Sequence, residues 1–130
     1  MPGQDKYLTE TAYDQETGVP IWQTTTFNGK RHAPPDGTPS YVVFDEQGRP
    51  KQLTWHAFDI EHRTNGPSTI LLDPETNVHR VESYYVQGQP RDPTVGPYRV
   101  CRYEDGEIWK EEFNTPSGRA PLTGLTTLEN

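Results

Sequence analysis

A chain of 130 residues with 30% apolar residues and a mean hydropathy of -0.95 can bury one modest core, which is short of two ordinary domains. Its net charge of -7 opposes non-specific binding to nucleic acid and anionic membranes but suits a basic protein surface. So low an apolar share would fit a disordered chain, yet three Trp, seven Tyr and four Phe provide large anchors, and the composition reads as a thin, sheet-rich protein.

Eight strands are predicted. In chain order they run from Tyr7 to Asp14, Val19 to Phe27, Pro39 to Asp45, Lys51 to Phe58, Ser68 to Asp73, Val78 to Val86, Tyr98 to Tyr103 and Glu107 to Phe113. Acidic turns join them in pairs: Asp14-Gln15-Glu16-Thr17-Gly18, Asp45-Glu46-Gln47-Gly48, Asp73-Pro74-Glu75-Thr76-Asn77 and Glu104-Asp105-Gly106. Gly or Asn closing each turn supplies the positive φ that a hairpin turn needs. Pro and Gly interrupt every candidate helix window. The expected fold is all-β: an elongated, twisted antiparallel meander of about four stacked hairpins.

Three markers recur in one register. Gly37, Gly66, Gly96 and Gly124 are 29, 30 and 28 residues apart. Gly48, Asn77 and Gly106 are 29 apart, as are Trp55, Tyr84 and Phe113. A basic or imidazole residue precedes each glycine of the first set: His32, His62, Arg91 and Arg119. Pro67 and Pro97 follow two of those glycines and open the next strand, a place where Pro is tolerated. The periods divide one domain, 1–130, into units of about 11–40, 41–69, 70–99 and 100–124, with a tail from 125 to 130 expected to fray.

The segments Tyr84-Tyr85-Val86-Gln87-Gly88 through Arg91 to Gly96-Pro97, and His62-Arg63-Thr64-Asn65-Gly66-Pro67-Ser68, resemble the degenerate MORN-type hairpin repeats of bacterial and phage proteins. The resemblance covers roughly Asp14 to Gly124. It departs from the pattern where Asp59-Ile60 replaces the turn glycine and where Leu125 replaces Pro. It implies an interaction surface, by analogy of fold alone.

His32 and His62 stand where Arg91 and Arg119 stand later. Guanidinium has no lone pair for a metal, so these positions read as a structural ladder, each donating to a carbonyl or acidic turn of the next hairpin. His56 and His79 have no companions at ligand spacing. No metal and no cofactor is expected. Cys101 lies between two arginines, a setting that can make a thiol reactive, but it has no identifiable base and reads as a half-buried strand thiol. A carboxylate pair for glycoside cleavage is conceivable; turn chemistry explains most of the acids. No phosphate loop or nucleophile elbow is present, and no enzyme is expected.

The stretch Glu104 to Phe113 carries five acids against one Lys, interleaved with Ile108, Trp109 and Phe113. As one strand it would put Glu107, Trp109, Glu111 and Phe113 on a common face. The functional expectation is a non-enzymatic module that binds another protein, anchored by Trp55, Tyr84, Tyr85 and Trp109 and steered by Glu104, Asp105, Glu107 and Glu111. The sharper alternative is a small phage-encoded inhibitor that occupies the nucleic-acid site of a basic host defence enzyme. Neither reading involves direct nucleic-acid or membrane binding. Free sheet edges leave association between copies open. One cysteine, with no signal peptide or long apolar run, points to the cytoplasm.

Overall fold

The computed structural model describes residues 6–122; Gly124 and the tail 125–130 lie outside the described residues. Strands β1 (Tyr7–Tyr13) and β2 (Pro20–Phe27) form the first long hairpin, and β3 (Lys30–Arg31) folds back on the end of β2. The second, β4 (Tyr41–Phe44) with β5 (Pro50–Thr54), is followed by a small hairpin of β6 (His56–Ala57) and β7 (Ile60–Glu61). The third, β8 (Thr69–Leu72) with β9 (His79–Ser83), is followed by β10 (Tyr85–Val86) and β11 (Gln89–Pro90). Strands β12 (Arg99–Arg102) and β13 (Ile108–Glu112) form the fourth.

The eight long strands join in the order β1-β2-β4-β5-β8-β9-β12-β13. Every pairing is antiparallel and the order is that of the chain, so the sheet is the expected meander, open at β1 and β13. Seven inter-strand steps of about 4.8 Å make it roughly 34 Å across. The four acidic turns lie together at one end of the strands; the small hairpins lie at the other.

Each acidic turn is held by its own carboxylate. Asp14 Oδ1 accepts the N–H groups of Glu16 and Thr17 at 2.8 and 3.0 Å, and Asp45 Oδ1 those of Gln47 and Arg49 at 2.9 and 2.8 Å. Asp73 and Asp105 accept from Glu75 and Glu107, both at 2.9 Å. Such self-bonded turns are why Asp opens tight connections. The Thr17 and Glu16 N–H groups lower the pKa of Asp14. At Asp45 desolvation pulls upward, but the N–H and guanidinium of Arg49 outweigh it and the net shift is downward.

Two predicted strands are interrupted. Lys51 to Phe58 and Val78 to Val86 each break at the aromatic residue, Trp55 and Tyr84, whose N–H groups donate to the Ser68 and Tyr98 carbonyls at 2.8 and 2.7 Å. The chain then makes a second, tighter turn. Asn28-Gly29, Phe58-Asp59 and Gln87-Gly88 all have positive φ: 51 and 88°, 49 and 72°, 51 and 78°. Two successive left-handed residues are the signature of a type I′ hairpin turn. Asp59 thus performs the turn that the sequence pattern assigned to a missing glycine, because Asp tolerates this conformation.

Residues directly opposite one another share a sheet face. One row runs Thr11, Gln23, Val42, Leu53, Ile70, Glu82, Val100, Glu111. It contains the core residues Val42, Ile70 and Val100, at 8, 4 and 5% exposure. Burying such side chains contributes about 1.5–3 kcal/mol each. The neighbouring row on the opposite face runs Ala12, Trp22, Val43, Gln52, Leu71, Val81, Cys101, Lys110. There Trp22 and Leu71 remain 37 and 39% exposed. The apolar core sits on the first face; the second leaves Trp22 and Leu71 accessible, although Thr54 and Ser83 on it are buried at 6 and 9% exposure.

Candidate functional site

The ladder positions coincide in the backbone but not in their side chains. The N–H groups of His32, His62 and Arg91 donate to Thr25, Trp55 and Tyr84 carbonyls at 3.2, 3.0 and 3.0 Å. The imidazoles then accept bonds, contrary to the donor role expected of them. His32 Nδ1 accepts the Phe58 N–H at 3.2 Å, and His62 Nδ1 the Gln87 N–H at 2.9 Å. Each thereby caps the first residue of the next small turn. Arginine has no acceptor, and Arg91 does something else: its guanidinium stacks 3.7 Å from the Tyr84 ring centroid. In the preceding unit that stacking role belongs to Arg63, 3.7 Å from the Trp55 centroid.

The glycines divide likewise. Gly37 has a φ of 89° and open space around it. Gly66 and Gly96 are instead places of close approach: a Cβ would lie 3.0 Å from Arg63 Cζ and 2.6 Å from Arg91 Nη1. Arg63 also donates to the carbonyl of Pro67 at 3.1 Å. Pro97 precedes Tyr98, whose N–H donates to the Glu112 carbonyl at 2.9 Å. Arg119 does not extend the ladder. It is exposed beyond β13, and its N–H donates to Ser117 Oγ at 3.2 Å.

The residues expected to contact a partner are scattered. Trp55 is 6% exposed, lies under Arg63, and donates its Nε1–H to the Gly37 carbonyl at 2.9 Å. It is an internal anchor, unavailable as a contact. Tyr84 is half-buried under Arg91, and Tyr85 packs edge-on to Tyr98 at 6.2 Å. Glu104, Asp105, Glu107, Trp109 and Glu111 are exposed at the β12–β13 end.

Trp109 and Glu111 do not share the simple alternating face expected of them. Lys110 pairs with Cys101 but Ile108 pairs with Arg102, so Trp109 is an extra residue in the strand, a β-bulge. A bulge breaks period-two alternation. Glu111 stays opposite Val100 on the core side, while Trp109, 52% exposed, lines an open-face groove of about 400 Å³ with Leu71, Val81, Cys101, Lys110 and Glu112. The register skips Ile21, Lys51 and Arg80 in the same way, at intervals of 30, 29 and 29 residues up to Trp109.

Several polar clusters were not identified from sequence. Glu82, buried in the core row, takes His79 Nδ1 at 2.8 Å and Arg102 Nη1 at 3.2 Å. Glu61 Oε2 accepts the hydroxyls of Ser68 and Thr69 at 2.6 and 2.8 Å. Ser40 Oγ lies 2.8 Å from His56 Nδ1, a distance at which a base can activate a hydroxyl. Ser40 is 1% exposed and also donates to the Thr54 carbonyl at 3.2 Å, so its oxygen is closed to substrate and the pair staples two strands. Burial, with Arg31 assisting, pushes the His56 pKa down against Glu61 and Asp59. Among the described residues, no group of three or more His, Cys, Asp or Glu is arranged to hold a metal ion, and no helix is long and apolar enough to cross a membrane.

Fold and surface together define an open antiparallel β-meander with its apolar core on one face, exposed apolar side chains on the other, and one acidic end. No family model matches the chain, and neither a curated protein nor a solved structure matches it.

Proposed function

We propose that this protein is a non-enzymatic protein–protein interaction module, and that it binds a basic surface with its open sheet face and the acidic turn beside Trp109. The observation that carries the reading is the line of Trp22, Leu71 and Trp109 on the open face, 37, 39 and 52% exposed. Exposed apolar side chains in a row on an uncovered sheet suit a binding surface. Glu10 and Glu112 stand on that face, and Glu104, Asp105 and Glu107 at its end. Carboxylates at the rim favour a cationic partner and speed its approach. The bulges spaced 30, 29 and 29 residues apart and the shared caps of His32 and His62 support a MORN-type repeat. Cys101, the only cysteine of the chain, favours a reducing compartment, the cytoplasm in our reading.

A second reading rests on all four acidic turns at that end of the strands. The four acidic turns recur at every second strand, roughly 10 Å apart, and Glu16, Glu46, Glu75 and Glu104 are exposed on them. A row of carboxylates of this kind suits the basic groove of a nucleic-acid-binding host protein, as a phage-encoded inhibitor would use it.

Capture from nuclease-treated cell lysate on the immobilised protein, at physiological and high salt, tests both. The first reading expects one stoichiometric partner that Trp109→Ala or Leu71→Asp abolishes and high salt weakens only in part. The second expects a partner lost at high salt, displaced by duplex DNA or RNA, and indifferent to Trp109→Ala. A partner retained by both variants and undisturbed by salt and nucleic acid would refute the two together.

A further inference from the structure

The registers of all seven junctions link one unbroken row across the sheet: Glu10, Thr24, Tyr41, Thr54, Thr69, Ser83, Arg99, Glu112. A carboxylate ends the row on each side. Within the sheet, the second strand of one long hairpin always pairs antiparallel with the first strand of the next: β2 with β4, β5 with β8, β9 with β12. The open edges are the two halves of that same junction. Among the described residues, β13 is a second strand with no successor and β1 a first strand with no predecessor.

We infer that the edges β13 and β1 are complementary surfaces for joining copies of this chain head to tail, and that Glu10 and Glu112 hold the copies apart. In the register of the internal junctions, Lys110 meets Ala12 of the next copy, Glu111 meets Thr11, and Glu112 meets Glu10. The internal junctions put Thr24 opposite Tyr41, Thr54 opposite Thr69 and Ser83 opposite Arg99 in this row. None sets like charges face to face; the joint between copies would. Like charges directly opposite one another destabilise a strand pair.

Among the described residues little else protects β1. Its sequence, YLTETAY, has seven residues, one charge and no proline, and its only irregularity is the bulge at the Ala12/Tyr13 end. An edge so rich in β-formers invites pairing unless a charge blocks it. The edge β13 is more polar, with Lys110, Glu111 and Glu112. A joint of unlike edges is heterologous, so copies add head to tail into a filament, or into a ring where the rotation between copies closes. Glu10 therefore sits where one carboxylate suffices to prevent such assembly.

The test is Glu10→Arg, which repeats across the joint the opposite-charge pairing of Arg99 with Glu112. Sedimentation velocity across a concentration series is compared for wild type, Glu10→Arg and the charge-preserving Glu10→Asp, with circular dichroism to show that each is folded. Wild type and Glu10→Asp are expected to sediment as one species at every concentration. Glu10→Arg is expected to form a ladder of growing species, ending in filaments or rings visible by electron microscopy. A single species for folded Glu10→Arg overturns the inference, as does assembly of the wild type. Assembly that stops at two copies also overturns it, because β1 would then be pairing with itself.

Discussion

The guanidinium of Arg63 lies over Trp55, its Cζ 3.7 Å from the ring centroid, and Gly66 leaves the space that this arrangement requires. A Cβ on Gly66 would sit 3.0 Å from Arg63 Cζ, and its φ lies outside the left-handed region, so alanine is opposed there by the guanidinium alone. Arg63→Ala is expected to cost about 1–2 kcal/mol through the lost stack and hydrogen bonds. Gly66→Ala is expected to cost about 1–3 kcal/mol in the native background by overpacking and close to nothing in Arg63→Ala. Urea unfolding of the two single variants and the double variant measures this coupling; strict additivity would contradict it.

The two tryptophans separate stability from binding. Trp55 is enclosed and bonded to the Gly37 carbonyl, so Trp55→Ala is expected to cost about 3–5 kcal/mol. Trp55→Phe keeps the ring volume in part and loses the indole hydrogen bond, costing about 1–2 kcal/mol. Trp109→Ala, on the open face, should change stability by less than about 1 kcal/mol. Denaturant midpoints for the three variants decide the matter.

The small turns give a second comparison. Gly29 and Gly88 have φ of 88 and 78°, so alanine at either carries the left-handed penalty of about 1–2 kcal/mol. A Cβ on Gly88 would also meet Ile60 Cγ2 at 3.1 Å, whereas nothing lies near Gly29. Gly88→Ala should therefore melt lower than Gly29→Ala. Truncating Ile60 to alanine in both backgrounds should bring the two penalties together, as thermal melts will show.

Stability should fall on acidification in two stages. His56 has its pKa held below the ordinary 6.5 by burial, so folding favours its neutral form. Its contribution is intact above about pH 6.5 and is lost as pH drops through the lowered folded value. His56→Gln should remove this first stage. The turn carboxylates Asp14, Asp36, Asp45 and Asp92 are shifted below 3.8, so their contribution persists above that value and disappears as pH falls through their folded values. Melting temperature against pH, for wild type and His56→Gln, should show the first slope only in the wild type.

Much of the architecture was legible in the residues because it is local. Tyr41-Val42-Val43-Phe44, followed by an Asp-initiated turn closed by Gly48, specifies a hairpin with no help from distant residues. Repetition of that unit made a meander the simplest stacking. The break at Trp55 was not legible, since Leu53 to Phe58 is rich in strand formers throughout. It depends on Ser68, thirteen residues on, whose carbonyl takes the Trp55 N–H. Nor was the partition of roles between His62 and Arg63 legible, because it depends on which side chain reaches the next turn and which folds back over the ring.

The all-β class, the strand pairs, the acidic turns and the recurrence of about 29 residues are written in the residues themselves, because turn chemistry and alternation act over a few neighbouring residues. Which face holds the core, that Trp55 is sealed while Trp109 is open, and that Glu10 and Glu112 terminate one row emerge with the folded sheet. Those outcomes follow from register. A single extra residue such as Trp109 alters the side on which neighbouring side chains project, and which residues face each other across eight strands is set by backbone hydrogen bonds between distant parts of the chain.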